Sequence, residues 1–204
     1  MAFGKEKPAD RARLEAALAD DADMMVSIGY PASGIQIFRD YYAEFDTGAD
    51  IVVTDGLKDP NLPGEVGSDM TNVIGTAPTA AGPGADFFSD AFESEYGNEP
   101  GVFTSQAYDA TAVAILANIA AGENSGVGVR DNLRAVANPG GTEYGPAELA
   151  DAVAAVAAGD EVNYVGASSS VDFDDNGDMQ SVTYEIFNFT ADGVETQSTI
   201  DFGA

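Results

Sequence analysis

Three short apolar runs, separated by longer segments of helical pattern, constrain the fold of this chain more than any other feature. The runs are MMVSI (24–28), IVVT (51–54) and NVIGTAP (72–78). Nearly continuous apolar runs of this length are typical of strands that are buried on both faces of a parallel sheet. Between the first two runs, Ile35–Phe45 has apolar residues at helical spacing. Strands that alternate with helices predict parallel βαβ units and an α/β fold.

The rest of the chain is predicted to be mostly helical, with β character at its end. The other predicted helices are Pro8–Ala22, Ala85–Tyr96, Ser105–Ala121, Val127–Ala137 and Pro146–Ala158. The helix Ser105–Ala121 is long, apolar and rich in alanine, so we expect it to be buried on most sides. From Ser168 to Thr199, β-branched and aromatic residues predict strands.

The acidic stretch DFDDNGD in this tail could be a calcium loop or a turn. Asp172, Asp174, Asn176 and Gly177 match the first, third, fifth and sixth positions of an EF-hand loop. The twelfth position is Thr183, which cannot chelate, and the flanking residues favour strands over helices. Asn-Gly between β-forming runs is typical of a hairpin, because both residues accept positive φ. We predict a turn and no metal site.

The charge balance excludes several classes of partner. The chain of 204 residues has 35 acidic and 8 basic residues, for a net charge of −27. Such a surface repels phosphate backbones and anionic lipid, so we expect no nucleic-acid binding. The acidic residues are spread along the whole chain, which favours a salt-adapted protein over an acidic binding tail. High salt screens the self-repulsion, since the Debye length falls to about 3 Å at 1 M.

The absent residue types narrow the possible chemistry. There is no cysteine and no histidine, which excludes disulfides, thiol nucleophiles, zinc fingers and Ser-His-Asp triads. The glycine-rich AAGPGAD lacks the lysine and the spacing of a nucleotide-binding loop. We therefore expect no cofactor and no enzymatic activity. An α/β enzyme that uses a pair of carboxylates stays open as an alternative, because no pair stands out among so many.

Two predicted loops are candidates for a binding site. GYPASG, after the first strand, contains Tyr30 and Ser33, and TDGL, after the second, contains Thr54 and Asp55. In open α/β sheets, ligands bind beyond the carboxyl ends of the strands. A carboxylate and a tyrosine that meet there suit a small ligand with an ammonium group, through a charge-assisted hydrogen bond and a cation–π contact. The alternative is that Asp55 is a solvated turn residue.

Two further candidates lie at the start of the long apolar helix. Phe103, just ahead of it, could form the wall of a pocket or could pack into the core as a hydrophobic staple. Ser105 is placed at the helix N-terminus, where backbone N–H groups favour anions.

The order of these segments resembles a known family. Strand–GYPASG–helix is followed by IVVTDGL, NVIGTAP, EYGNEPGVFTSQAYDATAVAILANIAAG and VDFDDNGDMQSVTYEIFNFTADG. From about Ala9 to Phe202, this order is similar to the second half of the type I periplasmic solute-binding proteins, the branched-chain amino acid (leucine/isoleucine/valine) receptors of ABC importers. The acidic composition resembles that of a haloarchaeal member.

The resemblance implies a two-lobed α/β fold with Rossmann-like parallel sheets, in which the chain crosses between lobes that close on a ligand. Residues 1–76 would belong to the second lobe and residues 77–182 to the first, and residues 183–204 would return to the second. It also implies that Asp55 binds the α-ammonium group, Tyr30 lines the cleft and Phe103 packs on the aliphatic side chain. Ser33, Thr54 and Ser105 are weaker candidates for contacts with the ligand.

The resemblance further implies a substrate-binding component of an ABC importer, with an amino acid as ligand and permease subunits as partners. Family members begin with an export signal and a first-lobe portion that holds the ligand carboxylate. Neither is found here, so we expect a partial receptor that lacks its N-terminal half and binds ligand weakly or not at all. The family is extracellular, of the periplasmic type, and without a signal this chain would be cytoplasmic as written. A ligand-sensing regulatory domain of the same fold is the alternative.

Overall fold

A five-stranded sheet and a separate pair of short strands organise the chain. The computed structural model describes residues 8–19, 22–191 and 193–203, without the side chains of residues 8–10. The chain divides into unit 1, which comprises Met1–Ala77 and Glu185–Ile200, and unit 2, which comprises Pro78–Tyr184 and Asp201–Ala204. The assignment of residues to the two lobes of a complete receptor stays a prediction.

Seven α-helices and seven strands follow one another along the described residues. The helices are α1 Pro8–Ala17, α2 Pro31–Asp40, α3 Leu62–Val66, α4 Ala85–Tyr96, α5 Thr104–Ala121, α6 Gly126–Ala137 and α7 Leu149–Ala158. The strands are β1 Met24–Ser27, β2 Asp50–Thr54, β3 Val73–Pro78, β4 Thr142–Tyr144, β5 Val162–Tyr164, β6 Ser181–Thr190 and β7 Gly193–Gly203. Short π- and 3₁₀-helical turns occupy Tyr41–Phe45, Asp55–Leu57 and Pro146–Glu148.

The order of strands in the larger sheet is β1-β2-β3-β6-β7, and the smaller sheet pairs β4 with β5. The pairs β1–β2, β2–β3 and β4–β5 are parallel. Parallel strands joined through helices confirm the predicted α/β fold class.

The core of unit 1 lies on one face of its sheet. Phe38 of α2, Leu62 of α3 and Leu14 of α1 all pack into the same apolar cluster. The sheet contributes alternate residues, such as Ile51 of β2 and Phe187 of β6. The alternation follows from the pleat, which points successive side chains to opposite faces. In unit 2, a second apolar cluster joins α5, α6 and α7 to β5.

Two of the predicted burial patterns are wrong. Met25 of β1 is buried, but Met24 and Val26 are 54% and 61% exposed, so β1 is buried on one face and not on two. In helix α5, Leu116 is buried, whereas the adjacent Ile115 is 44% exposed. In both elements, the sequence pattern assigns to the interior apolar residues that are exposed in the structure.

Several predicted boundaries also need correction. Helix α2 begins at Pro31 and not at Ile35, because proline at the first helical position has its φ already set and needs no N–H partner. Ser33 therefore lies in the first turn of a helix and not in a loop. Helix α1 ends at Ala17 and not at Ala22, and residues 20 and 21 of the predicted helix lie outside the described residues. The predicted helix from Pro146 begins with a 3₁₀ turn.

The acidic stretch of the tail forms the predicted turn. Asp174 Oδ1 accepts hydrogen bonds from the backbone N–H groups of Asn176 (2.8 Å) and Asp178 (2.9 Å), and Gly177 has φ +92°. The backbone N–H of Asp178, followed by those of Asn176 and Gly177, lowers the pKa of Asp174. A single antiparallel bridge, Phe173 with Met179, flanks the turn, so the strand predicted before it does not form. Among the described residues, no group of three or more acidic side chains is arranged to hold a metal ion.

Replacing Gly177 by alanine tests this turn. The positive φ of Gly177 is a conformation that alanine adopts only with strain, so we expect a loss of about 1 kcal/mol in the free energy of unfolding. Urea unfolding at molar KCl measures this loss. Gly126→Ala, at an open position at the start of α6, is the control and should not destabilise unit 2. Equal effects of the two substitutions would contradict the assigned turn.

No helix in the described ranges is by itself long and apolar enough to span a membrane, although the pair α5 and α6, bent by 107°, meets the length and composition criteria together.

Candidate functional site

The loops that follow β1 and β2 lie in contact with each other. The two strands pair in parallel, with Ser27 opposite Val53, so both end at the same edge of the sheet. A Cβ atom on Gly56 would lie 3.2 Å from two carbons of the Tyr30 ring and 2.4 Å from the carbonyl oxygen of Gly29. Glycine at position 56 thus lets the two loops approach this closely.

Tyr30 is the residue that immediately precedes α2. Its backbone is extended, with φ −128° and ψ 161°, and its side chain is 73% exposed. Its carbonyl oxygen accepts hydrogen bonds from the N–H groups of Ser33 (3.0 Å) and Gly34 (2.9 Å), and from Ser33 Oγ (3.1 Å). The hydroxyl of Ser33 therefore fixes the loop that presents the phenol ring.

Asp55 begins the 3₁₀ turn that follows β2. Its Oδ1 accepts a hydrogen bond from the N–H of Gly56 at 2.6 Å, which orients the carboxylate. In the part of the chain that the structure describes, Oδ2 accepts no hydrogen bond and stays available to a donor. Thr54, which precedes it, has an extended backbone, is partly buried and lies opposite Thr76 of β3.

An ion pair between the partly buried Lys58 and the buried Glu185, which the sequence analysis missed, anchors the far end of this turn. The N–H of Lys58 donates to the carbonyl oxygen of Asp55 at 3.0 Å. Its ammonium group forms a salt bridge with Oε1 of the buried Glu185 and lies 5.8 Å above the ring of Phe187. Thr196 Oγ1 donates to the other carboxylate oxygen of Glu185 at 2.6 Å. Lys58 and Glu185 are 127 residues apart, and no local pattern in the sequence connects them.

Unit 2 contains the other two candidates. Phe103 precedes α5 with φ +66° and is 42% exposed, so it does not pack into the core as a staple. A left-handed backbone at a residue other than glycine is strained, and such strain is concentrated at functional sites. Ser105 is buried, and its hydroxyl donates to Gln106 Oε1 at 2.9 Å. The hydroxyl of Ser105 thus has a partner within its own helix, and a ligand contact there stays a prediction.

A second buried carboxylate, also missed from the sequence, lies in α5. Asp109 accepts hydrogen bonds from Tyr164 Oη (2.8 Å) and from the N–H groups of Ala167 (2.9 Å) and Ser168 (2.6 Å), and Ser168 Oγ donates to it as well. Burial and the neighbouring carboxylate raise the pKa of Tyr164. A Cβ atom on Gly166 would lie 2.3 Å from Asp109 Oδ2, so glycine is required there for the loop to close on the carboxylate. This network is structural, because its members are buried and bonded to one another.

The arrangement in unit 1 has the groups that bind a cation. A partly buried carboxylate with one oxygen free and an exposed phenol ring lie at the carboxyl ends of adjacent parallel strands. Ammonium groups are bound by carboxylates through charge-assisted hydrogen bonds and by aromatic rings through cation–π contacts. Tyr30, Ser33, Thr54 and Asp55 all belong to unit 1, whereas Phe103 and Ser105 belong to unit 2.

Comparison with known proteins identifies the fold. The leucine-binding protein LivK of Thermotoga maritima matches 97% of this chain, with a TM-score of 0.68 and 21% identity. The branched-chain amino acid binding protein LivJ of Streptococcus pneumoniae, solved with isoleucine, matches 93% with a TM-score of 0.62 and 19% identity. A type 1 periplasmic binding protein of Bordetella pertussis matches 95% with a TM-score of 0.58 and 16% identity. The chain has part of the type I periplasmic-binding-protein fold. The predicted resemblance is confirmed.

One curated relative is also a substrate-binding protein. BasB of Halobacterium salinarum, a substrate-binding protein of a chemotactic signal transduction system, is 28% identical over 188 residues, or 92% of this chain. No protein-family model matches the chain. The chain spans about half the length of the proteins that it matches, with 44% of BasB and 49% of LivK covered. It therefore represents part of a type I periplasmic-binding-protein fold, and the relatives that it matches are solute-binding proteins.

Proposed function

We propose that this chain is part of a solute receptor that binds a branched-chain or related amino acid for an ABC importer. The observation that carries the proposal is the contact between the loops of Tyr30 and Asp55, which brings a phenol ring and a carboxylate to the ends of two parallel strands. The relatives LivK and LivJ are described as binding leucine and branched-chain amino acids, which favours the same class of ligand here.

In this proposal, each candidate residue has a defined role. The free oxygen of Asp55 accepts hydrogen bonds from the α-ammonium group, and the ring of Tyr30 lies against the ligand. Phe103 packs on the aliphatic side chain. Ser33, Thr54 and Ser105 contribute indirect or weaker contacts, with Ser33 acting through the position of Tyr30. No step of this kind needs a metal or a cofactor.

The role as a receptor requires more of the fold than this chain spans. We propose that a further portion, an N-terminal half on the same or another polypeptide, supplies the groups that bind the ligand carboxylate. The complete receptor would act at the cell surface and deliver its ligand to the permease subunits. For this chain alone, we expect weak binding that depends on the ammonium group and not on the carboxylate.

Ligands that lack one charged group test the role of Asp55. We expect leucine and 3-methylbutylamine to bind this chain similarly, and 4-methylpentanoate, which has no ammonium group, to bind at least about tenfold more weakly. The Asp55→Asn substitution keeps the oxygen that accepts from Gly56 but removes the charge, so it should abolish this preference. NMR titration of backbone amides at molar KCl measures the affinities and shows whether the residues near Tyr30 respond.

Asp69→Asn is the matched control, because Asp69 is an exposed carboxylate of the same unit and should leave the preference unchanged. Binding of 4-methylpentanoate as tight as that of the amine, or an unchanged preference in Asp55→Asn, would exclude the proposed role of Asp55. Micromolar affinity of this chain alone for leucine would contradict the need for a further portion of the fold.

A second role is favoured by one of the relatives. BasB is described as part of a chemotactic signal transduction system, so the same site could serve a receptor that reports the ligand to a signalling partner in place of a permease. The ligand chemistry is the same for both roles. Neighbouring genes for a permease and an ATPase would favour import, and a neighbouring transducer gene would favour signalling.

A further inference from the structure

A cleft of about 540 Å³ lies in unit 2, between α6 and the acidic turn of the tail. Its lining combines two cations, one carboxylate, two apolar side chains and one amide. These residues are Arg130, Asp131, Leu133, Arg134, Phe173 and Asn176. Clefts of this volume with apolar walls and a few polar groups are typical of sites for small molecules.

The two cations of the cleft have an unusual position in so acidic a chain. Arg130 and Arg134 are the only basic residues of the sequence after Lys58. They lie four residues apart in α6, so they are neighbours on one face of the helix and repel each other. An anion bound between them would offset this repulsion. The cleft therefore offers positive charge where the rest of unit 2 offers only negative charge.

Both arginines have donors available to a ligand. Arg134 Nε donates to the carbonyl oxygen of Asp174 at 2.7 Å, and its two Nη atoms have no partner among the described residues. Arg130 contacts Asp131 Oδ1 through Nε and Nη2, each at 2.7 Å. This pair is exposed, so salt screens it and a ligand can compete with it. The planar fork of a guanidinium group matches the two oxygens of a carboxylate.

The apolar wall of the cleft is held in place by hydrogen bonds to the end of α6. Asn138 Oδ1 accepts from the N–H of Phe173 at 3.0 Å, and Asn138 Nδ2 donates to the carbonyl oxygen of Phe173 at 2.7 Å. Gln180 Nε2 donates to the same carbonyl oxygen at 3.0 Å. Phe173 and Leu133 also pack against the apolar cluster of unit 2. A wall that is ordered before binding lowers the entropic cost of binding.

We propose that this cleft binds a monocarboxylate that has an apolar body. The arginines hold the carboxylate, and Leu133 and Phe173 contact the body. Two guanidinium groups and the carboxylate of Asp131 leave one positive charge in excess, which matches a single negative charge. A phosphate monoester would bring about two negative charges beside Asp131 and the other carboxylates of the turn. A free organic acid and the carboxyl terminus of a protein chain that ends in an apolar residue both have the proposed chemistry.

Three probe molecules separate the contributions of charge and of the apolar body. NMR titration at molar KCl follows the backbone amides of Phe173 and Gly177, which separates binding in the cleft from binding near Tyr30. We expect 3-phenylpropanoate to bind at least about tenfold more tightly than acetate, which has no body. We expect the same advantage over 3-phenylpropan-1-amine, which has the opposite charge.

Substitutions of one exposed arginine test its contact with the carboxylate. Arg130→Gln should lower the affinity for 3-phenylpropanoate by at least about fivefold, and Arg130→Lys should lower it less, because lysine keeps the charge without the fork. Arg11→Gln is the matched control, since it breaks another exposed pair, with Glu44 at 2.9 Å, in unit 1. The control should leave the affinity unchanged.

The remaining outcomes decide the proposal and the source of the ligand. Equal binding of the acid and the amine, equal effects of Arg130→Gln and Arg11→Gln, or tighter binding of phenyl phosphate would overturn it. A blocked peptide that ends in phenylalanine supports a protein terminus as the source if it binds more tightly than 3-phenylpropanoate and loses binding when its terminus is amidated. Tighter binding of the free acid supports an organic acid. Because every shift is read in unit 2, failure of the proposed function at Asp55 leaves this inference standing.

Discussion

Replacing Asp109 by alanine is expected to lower the free energy of unfolding of unit 2 by about 4 kcal/mol. The substitution leaves the Tyr164 hydroxyl, the Ser168 hydroxyl and two backbone N–H groups buried without their acceptor. Each unsatisfied buried group costs about 1 to 3 kcal/mol. The loss is large because the groups lie in one network and cannot reach water without opening the loop.

Urea unfolding at molar KCl, followed by circular dichroism, measures this loss. Asp109→Asn keeps an acceptor for Tyr164 and Ala167 but turns an amide N–H₂ towards the donors of Ser168, so we expect about half the effect of alanine. Asp90→Ala removes an exposed carboxylate from α4 of the same unit and should change stability by less than about 0.5 kcal/mol. A loss in Asp109→Ala no larger than in Asp90→Ala would show that the network does not hold the loop.

The Lys58→Met substitution is expected to cost about 3 kcal/mol in unit 1. Methionine keeps an apolar stem against Phe187 but leaves the buried Glu185 with Thr196 as its remaining partner among the described residues. Removing one member of a buried ion pair is costly because the desolvation of the remaining charge is no longer offset. Since Lys58 follows the turn that begins at Asp55, we also expect the substitution to weaken the binding of 3-methylbutylamine.

A double-mutant cycle separates the ion pair from simple loss of packing. Glu185→Gln in the Lys58→Met background removes the uncompensated charge, so the double variant should lose less than the sum of the two single variants. Arg130→Met is the control, since Arg130 and Asp131 form an exposed pair at 2.7 Å that contributes at most about 1 kcal/mol. Additive effects at Lys58 and Glu185 would contradict the coupling that the structure shows.

The repeating elements of the fold could be predicted from the sequence because their signals are local. The apolar runs around Ile51 and Val73 lie in strands, and the aromatic stripe from Ala85 to Tyr96 forms a helix with the predicted bounds. Asn176-Gly177 predicted a turn at this place, although of the two residues Gly177 alone has the positive φ that the hairpin signal expects of both. The pairing of the candidate loops followed from the general rule on strand ends.

Features that depend on contacts between distant residues could not be predicted in this way. Asp109 and Glu185 are two acidic residues among 35, and only the folded chain shows that they are buried and bonded. The error at β1 has another cause. The run MMVSI predicts burial on both faces, whereas Met24 and Val26 are 54% and 61% exposed, because an apolar run by itself does not show which faces of a strand are covered.

The close approach at Gly56 limits which substitutions the candidate site can accept. Any side chain at that position would overlap the Gly29 carbonyl oxygen at 2.4 Å, and backbone atoms cannot move aside as a flexible side chain does. Under the proposed function, selection for a new ligand therefore has room at the exposed Tyr30 and Ser33 and almost none at position 56. Among proteins that share this pair of loops, we expect sequence differences to be frequent at the start of α2. We expect few differences in the turn after β2.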